Sequence, residues 1–452
     1  MKGISDYVRA ECEKAGASVR TDALLNVIAV LPATPGYEDA PAVMLQGHMD
    51  MVAEKTADSA HDFKKDPLTL TVEGDWIRAD KTTLGADDGV AVAYMLALLN
   101  DRALKHPRLE CIFTTDEETG MFGAEGIDLS DLQAKLLLNL DNEAEGVFTV
   151  SCAGGSRFEG VLPLERELKR GVLSKIVVES MKGGHSGTEI KYDRPNTNVV
   201  AGELIADLSA SESGFGLFSF DGGLMDNAIT TKTEAVVLSE KPLDLSREEK
   251  RFQEEFESTD DTVSIRSEVV QIDAEANVLT KETLENLLFV FLVSPNGAVA
   301  YNHKIKGLVE TSLNRGIVKT EAERILIRSS VRSSVSSRKE RLLDRLSRIV
   351  GKAGGTSSVS GNYPGWAYRV QSDFRDRAVT LWNRMYPEKP ARIEAIHAGL
   401  ECGLLLEKKP DLDILSVGPD AWYIHTPKEQ VSVSSVGRLY RFIRRLLEET
   451  KA

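Results

Sequence analysis

Five short apolar runs, NVIAV, AVMLQG, LECIFTT, KLLLNLD and GVFTVSC, recur through the first 155 residues. The stretch DDGVAVAYMLALLND lies among them and carries its apolar residues at helical spacing. Runs of four to eight apolar residues suit buried strands, whereas the longer periodic stretch suits a helix. This alternation predicts an α/β domain with a mostly parallel sheet covered on both faces. LTLTVEGDWIRAD predicts a hairpin set to one side.

The pattern changes between 156 and 362. There SKIVVESMKG, EAVVLSE, VSIRSEVV and RILIRSS alternate with amphipathic helices such as REEKRFQEEFES and RKERLLDRLSRIVGKAGG. These predict an inserted α+β domain, built from two related halves. GGTSSVSGNYPG marks the return. LDILSVG then reads as a buried strand and VGRLYRFIRRLLEETKA as a closing amphipathic helix. The expected organisation is a discontinuous domain, 1–155 with 363–452, interrupted by a second domain over 156–362. A chain of 452 residues is long enough for two such cores.

Chemistry collects where the strands end. AVMLQG is followed by His48 and Asp50, two apart and so on one face of an extended chain. RADKTTLG leads to Asp87 and Asp88, LECIFTT to Asp116, Glu117 and Glu118, KLLLNL to Asp141, and LDILSVG to His425. In an open α/β sheet, ligands bind outside the carboxyl ends of the strands. Carboxylates gathered there suppress one another's ionisation unless a cation compensates them. One divalent metal, or a pair, is the natural compensation. Two histidines with carboxylates and no cysteine suit zinc and tolerate manganese or cobalt.

Composition excludes other classes. The net charge of −15 argues against nucleic-acid or anionic-membrane partners, which need clustered Lys and Arg. Cys12, Cys111, Cys152 and Cys402 are scattered without a C-x-x-C pair, so neither a disulfide scaffold nor a thiolate zinc knuckle is expected. No apolar run reaches membrane-spanning length, LENLLFVFLVSP included. MKGISDYVRAECEKAG lacks a signal-peptide core, and the expected location is cytoplasmic.

The ordered series GHMDMV, TTLGADDG, TDEETGMFGAEG, LLNLDNEAEG, CAGG, KGGHSG, IRSSV, YPGW, IHAGLECG and SVGP…HTPKEQV resembles the aminoacyl-histidine dipeptidases. These belong to the di-metal aminoacylase and carboxypeptidase clan. The resemblance implies a catalytic α/β domain with an inserted lid and dimerisation domain. It also implies two divalent metals, zinc foremost, and hydrolysis of unblocked dipeptides, with Xaa-His favoured. By the same resemblance His48 and Asp141 hold one metal, Glu118 and His425 the other, and Asp87 bridges them. Glu117 is then the general base, and Asp50 orients His48. His185 stabilises an oxyanion. Asn227 and Arg328 match lid positions that grip the substrate, Arg328 either as a fork for its carboxylate or as a plain strand-surface arginine. Glu401 either binds the substrate amine or is structural. The implied partners are a small peptide and a second copy of the chain. DNAITTKTEA lacks the Pro and Arg usual after NAI, and Arg332 stands where an acidic residue is common. The rival readings are a tripeptidase, carboxypeptidase or N-acyl amino acid hydrolase with the same metals, and a metal-binding scaffold without catalysis.

Overall fold

The structure is a computed structural model, which describes residues 1–451. The chain forms two compact units. One comprises 1–151, 366–395 and 400–452; the other comprises 152–365 and 396–399.

In the first unit an eight-stranded sheet runs in the order Ser18–Thr21, Val27–Leu31, Leu109–Thr114, Val43–His48, Leu136–Asn139, Asp413–Ser416, Val147–Cys152, Arg392–Ile396. The four strands at its centre, Leu109–Thr114 to Asp413–Ser416, are mutually parallel. Val43–His48 and Leu109–Thr114 are buried at every residue, as expected for a sheet covered on both faces. The sheet is more mixed than the sequence predicts. Ser18–Thr21 returns to Val27–Leu31 through a short turn, and Val147–Cys152 follows Leu136–Asn139 after a seven-residue link. Neither connection has room for the crossover a parallel partner requires, so both flanks are antiparallel.

Helix Val433–Glu449 closes this unit. Ser432 caps it, accepting from the Ser435 N–H, and Leu439, Phe442, Ile443, Leu446 and Leu447 form its buried stripe. Phe442 meets Phe148 and Trp382 edge-on at centroid distances of 5.7 and 5.2 Å. The expected hairpin is present as Leu70–Glu73 with Trp76–Ala79. It continues into Gln430–Ser432 and Ala421–Trp422, making a small antiparallel sheet. That sheet anchors both loops that matter below, 80–86 and 423–429.

The second unit is built on one antiparallel sheet of nine strands. Long strands Arg166–Glu179 and Ser264–Leu279 lie at one edge, and Arg324–Ser333, Gly154–Pro163 and Thr356–Tyr363 at the other. The two halves expected from the sequence thus share a single sheet. Helices Thr197–Ser211, Lys281–Val293 and Ser336–Lys352 bury Leu204, Leu287 and Leu346 in the same core as Ile325, Ile327 and Val331. LENLLFVFLVSP is the core of Lys281–Val293, a 13-residue helix. Among the described residues no helix is long and apolar enough to cross a membrane.

Candidate metal centre

Because the four central strands run the same way, their carboxyl ends lie along one edge of the sheet. His48 is the last residue of its strand and is buried. Gly47 makes room for it: a Cβ there would sit 2.4 Å from Ala91 Cβ and 2.5 Å from Asp88 Oδ2. Glycine lets helix Ala86–Asn100 pass over the strand end.

Asp87 joins the two histidines. Its Oδ1 lies 3.0 Å from His48 Nε2 and its Oδ2 lies 3.2 Å from His425 Nε2. His425 Nε2 is also 2.8 Å from Glu118 Oε1. Donor atoms of His48, Asp87 and Glu118 all fall within 4.8 Å of one another, as do those of His48, Asp88 and Asp141. Asp50 underlies both sides. Its Oδ2 accepts the Glu118 N–H at 3.1 Å, and its backbone oxygen lies 3.1 Å from His48 Nδ1. Two of the supporting residues are held in the left-handed region without being glycine: Asp116 at φ 54° and His425 at φ 61°. Strain of this kind persists where surrounding contacts over-determine the backbone.

The electrostatics show a surplus of negative charge. Burial, then Asp141, push Glu117 up to about 9. Burial and Asp87 push Asp141 up to about 8, and burial pushes Glu401 up to about 7. Hydrogen bonds to Asp87 and Glu118 raise His425 to about 10. Burial opposes charge on Asp87, yet hydrogen bonds from His425 and His48 outweigh it and lower its pKa. Carboxylates this crowded cannot all ionise unaided. A nitrogen-and-oxygen donor set with this surplus fits divalent cations of the zinc, manganese and cobalt kind.

Glu401 lies beneath this cluster and is fully buried. Its Oε2 accepts from Thr114 Oγ1 at 2.6 Å and from Gln46 Nε2 at 2.5 Å. Its other oxygen, Oε1, is buried and has no hydrogen-bond partner among the described residues.

His185 belongs to the second unit. It sits on a two-residue strand, Gly184–His185, paired with Ala228–Ile229. Asn227 is next to it, and its carbonyl accepts the Ser186 N–H at 2.8 Å. The His185 Nδ1 accepts from the Gly187 and Thr188 amides, each at 3.3 Å. In the neutral ring the proton therefore resides on Nε2. Burial and the adjacent Arg332 lower the His185 pKa. Arg332 is 7% exposed, donates to the Tyr363 hydroxyl at 2.9 Å and brings Nη2 to 3.4 Å from His185 Nε2. Its Nε is buried and has no hydrogen-bond partner among the described residues. Arg328, four residues earlier on the same face, is instead committed across the strands to Glu159 at 2.7 Å, with its side chain 49% exposed. Arg328 thus pairs with Glu159 on the neighbouring strand, whereas Arg332 lies beside His185.

Over residues 44–449 the sequence matches the family described as peptidase family M20/M25/M40. The cytosol non-specific dipeptidase of Escherichia coli is 34% identical over 455 residues, covering 99% of this chain and 93% of that protein. The chain belongs to the M20/M25/M40 peptidase family. It is accordingly a hydrolase of peptide bonds. The solved aminoacylhistidine dipeptidase of Vibrio alginolyticus is 32% identical and superposes with a TM-score of 0.92, covering 100% of this chain and 93% of that one. A Bacillus cereus aminopeptidase, PepT, shares the fold at 15% identity and a TM-score of 0.56, over 98% of this chain and 92% of that one.

Three further residues of this M20 chain escape a reading of the sequence. Asp88 looks like a helix-opening neighbour of Asp87, yet it is buried and accepts the His48 N–H at 3.2 Å. His397, in the same motif as Glu401, joins the second unit, where its Nε2 lies 2.7 Å from Ser312 Oγ. Burial, then Arg332 and His185, push it down to about 3, so it is neutral. Glu429 is the third, and its partners lie more than 340 residues away.

Proposed function

We propose that this chain is a two-metal dipeptidase acting on unblocked dipeptides. The observation that carries the reading is the Asp87 carboxylate spanning His48 and His425, one oxygen to each, within an uncompensated acid cluster. The residues that would hold the ions are His48 with Asp141 and Glu118 with His425, sharing Asp87. Bound there, the metals supply Lewis acidity, which polarises the scissile carbonyl and acidifies a water.

The chain's own groups do the rest. Glu117 lies among these ligands, takes a proton from the attacking water and releases it to the amine that leaves as the C–N bond breaks. Asp50 keeps the His48 ring and the Glu118 backbone in place. His185 presents Nε2–H to the oxygen that gains charge as the tetrahedral centre forms. Arg332 receives the free carboxylate of the substrate, and Asn227 grips the substrate beside it.

The spacing of these donors supports dipeptides over longer substrates. In a dipeptide the carboxylate lies one residue, roughly 3.5 Å of extended chain, beyond the scissile carbonyl. His185 and Arg332 place their donors side by side at 3.4 Å. In a tripeptide cleaved after its first residue, the carboxylate is one residue further away. A preference for Xaa-His within the dipeptides is supported by the name of the Vibrio relative, whereas the Escherichia relative's name carries no such restriction. Assay of a panel containing Xaa-His dipeptides, other dipeptides, a tripeptide and N-acylated amino acids, with and without Zn²⁺ or Mn²⁺, tests the reading. Metal-dependent cleavage confined to dipeptides is expected. Cleavage of N-acylated amino acids alone would overturn it.

A further inference from the structure

Helix Ala86–Asn100 opens without a side-chain cap of its own. Its first two amides, and the two just before them, are nonetheless satisfied. The buried Glu429 carboxylate accepts all four successive N–H groups: Oε2 takes Leu84 at 2.7 Å and Gly85 at 3.0 Å, and Oε1 takes Ala86 at 2.8 Å and Asp87 at 3.4 Å. A carboxylate at a helix N-terminus is favoured by the aligned peptide dipoles, and burial strengthens that preference. The loop it grips is irregular. Gly85 is left-handed at φ 70°, and Asp87 and Asp88 depart from helical geometry. Little in the local sequence dictates where Asp87 points.

The other end of Glu429 is equally constrained. Its own N–H donates to the Thr426 carbonyl at 3.0 Å, and Thr426 Oγ1 donates to the Tyr423 carbonyl at 2.7 Å, closing the turn that carries His425. One side chain therefore joins the loop of the bridging carboxylate to the loop of a terminal ligand. We infer that Glu429 is a positioning residue, which sets the Asp87 loop at the distance from His425 that two metals require. This rests on the two-metal reading above.

The test uses Glu429→Gln and Glu429→Asp. Glutamine keeps the length but turns an NH₂ group toward amides that need an acceptor. Aspartate keeps the charge and loses one methylene, so it spans fewer of the four donors. Two readouts apply to metal-free and reconstituted full-length protein: hydrogen exchange at residues 84–87, and Zn²⁺ stoichiometry and affinity by calorimetry. Glu429→Gln should speed exchange at 84–87 while helix residues 91–99 stay protected. It should weaken Zn²⁺ binding by about 10–100-fold, the usual effect of losing a group that orients ligands. Glu429→Asp should fall between Gln and wild type in both. Wild-type exchange and wild-type affinity in Glu429→Gln would overturn the inference. So would global unfolding of Glu429→Gln beside a folded, fully metal-loaded Glu429→Asp, which would make the residue one of general stability. If wild-type protein takes up no second Zn²⁺, the two-metal reading fails, and exchange at 84–87 alone then decides whether Glu429 fixes the loop.

Discussion

Arg332 brings a guanidinium nitrogen to 3.4 Å from the Nε2 of His185, and both groups offer protons to the same space. With His185 proposed to serve the oxygen of the tetrahedral centre, the adjacent Arg332 is proposed to meet the anionic oxygen that a peptide supplies at its carboxylate. Wild-type enzyme should therefore cleave a free dipeptide better than its C-terminal amide, by about 10–100-fold, since a charge-assisted hydrogen bond is worth about 1.5–3 kcal/mol. Arg332→Met should abolish most of that preference and Arg328→Met should leave it intact. Comparison of kcat/KM for the two substrate forms across the three proteins decides it; a wild-type preference lost in Arg328→Met would return the role to Arg328.

Much of the candidate site is legible in the chain because most of its proposed ligands sit next to strand ends. His48 terminates one apolar run and Glu118 and Asp141 follow others closely, so strand direction aligns them, whereas His425 lies on a loop anchored by the small antiparallel sheet. The two arginines of IRSSVRSS show the limit. Both lie on one face of Arg324–Ser333, and only the position of Glu159 on the neighbouring strand determines which is already paired. Glu429 and the four amides it holds are likewise unrelated by any local period. The mixed sheet follows from link lengths that could be counted in advance, but the strand beside which Val147–Cys152 lies, Asp413–Ser416, comes from the far end of the chain.

Asp87→Ala should lose both metals together with activity. Among the described residues its carboxylate is the only one that meets both rings, at 3.0 Å from His48 and 3.2 Å from His425. A shared carboxylate offsets repulsion between neighbouring dications, so removing it destabilises the pair more than either ion alone. Elemental analysis after reconstitution checks this. Retention of one tightly held metal with full activity would point to a mononuclear enzyme.

Glu117→Gln should separate binding from proton transfer. The amide keeps the shape of the side chain but cannot carry a proton between water and amine. Metal content should remain at the wild-type level while kcat falls by at least roughly 10²-fold. A metal-loaded Glu117→Gln enzyme with unchanged kcat would assign the base elsewhere.

Stability should depend on Glu145 near neutral pH and lose that dependence in acid. Its buried carboxylate faces Arg438 at 2.6 and 2.8 Å and also meets Lys389. Burial alone would raise its pKa, but hydrogen bonds from Arg438 and Lys389 prevail and lower it from 4.5. A depressed folded-state pKa contributes stability above the unfolded value, and that contribution is lost as pH falls through the folded value. Glu145→Gln should cost about 1–3 kcal/mol near pH 7, a range kept modest by the exposure of Lys389. The difference from wild type should shrink below pH 4.5. Urea unfolding at several pH values measures it, and a gap that widens in acid would contradict the sign.

Substrate length provides the sharpest discrimination between a dipeptidase and its tripeptidase relatives. His185 has its Nδ1 taken by the Gly187 and Thr188 amides, which leaves the proton on Nε2, the atom proposed to donate to the scissile carbonyl oxygen. Arg332, held by Tyr363, is then available only to an anion close beside that oxygen. A third residue moves the carboxylate away by roughly 3.5 Å, beyond hydrogen-bond reach of a side chain this buried. Ala-Ala should therefore exceed Ala-Ala-Ala in kcat/KM by about tenfold or more, and Arg332→Met should narrow the gap by slowing the dipeptide while leaving the tripeptide nearly unchanged. Equal loss on both substrates would mean that Arg332 acts through the fold or through His185, not through the carboxylate, and the length selectivity would need another source.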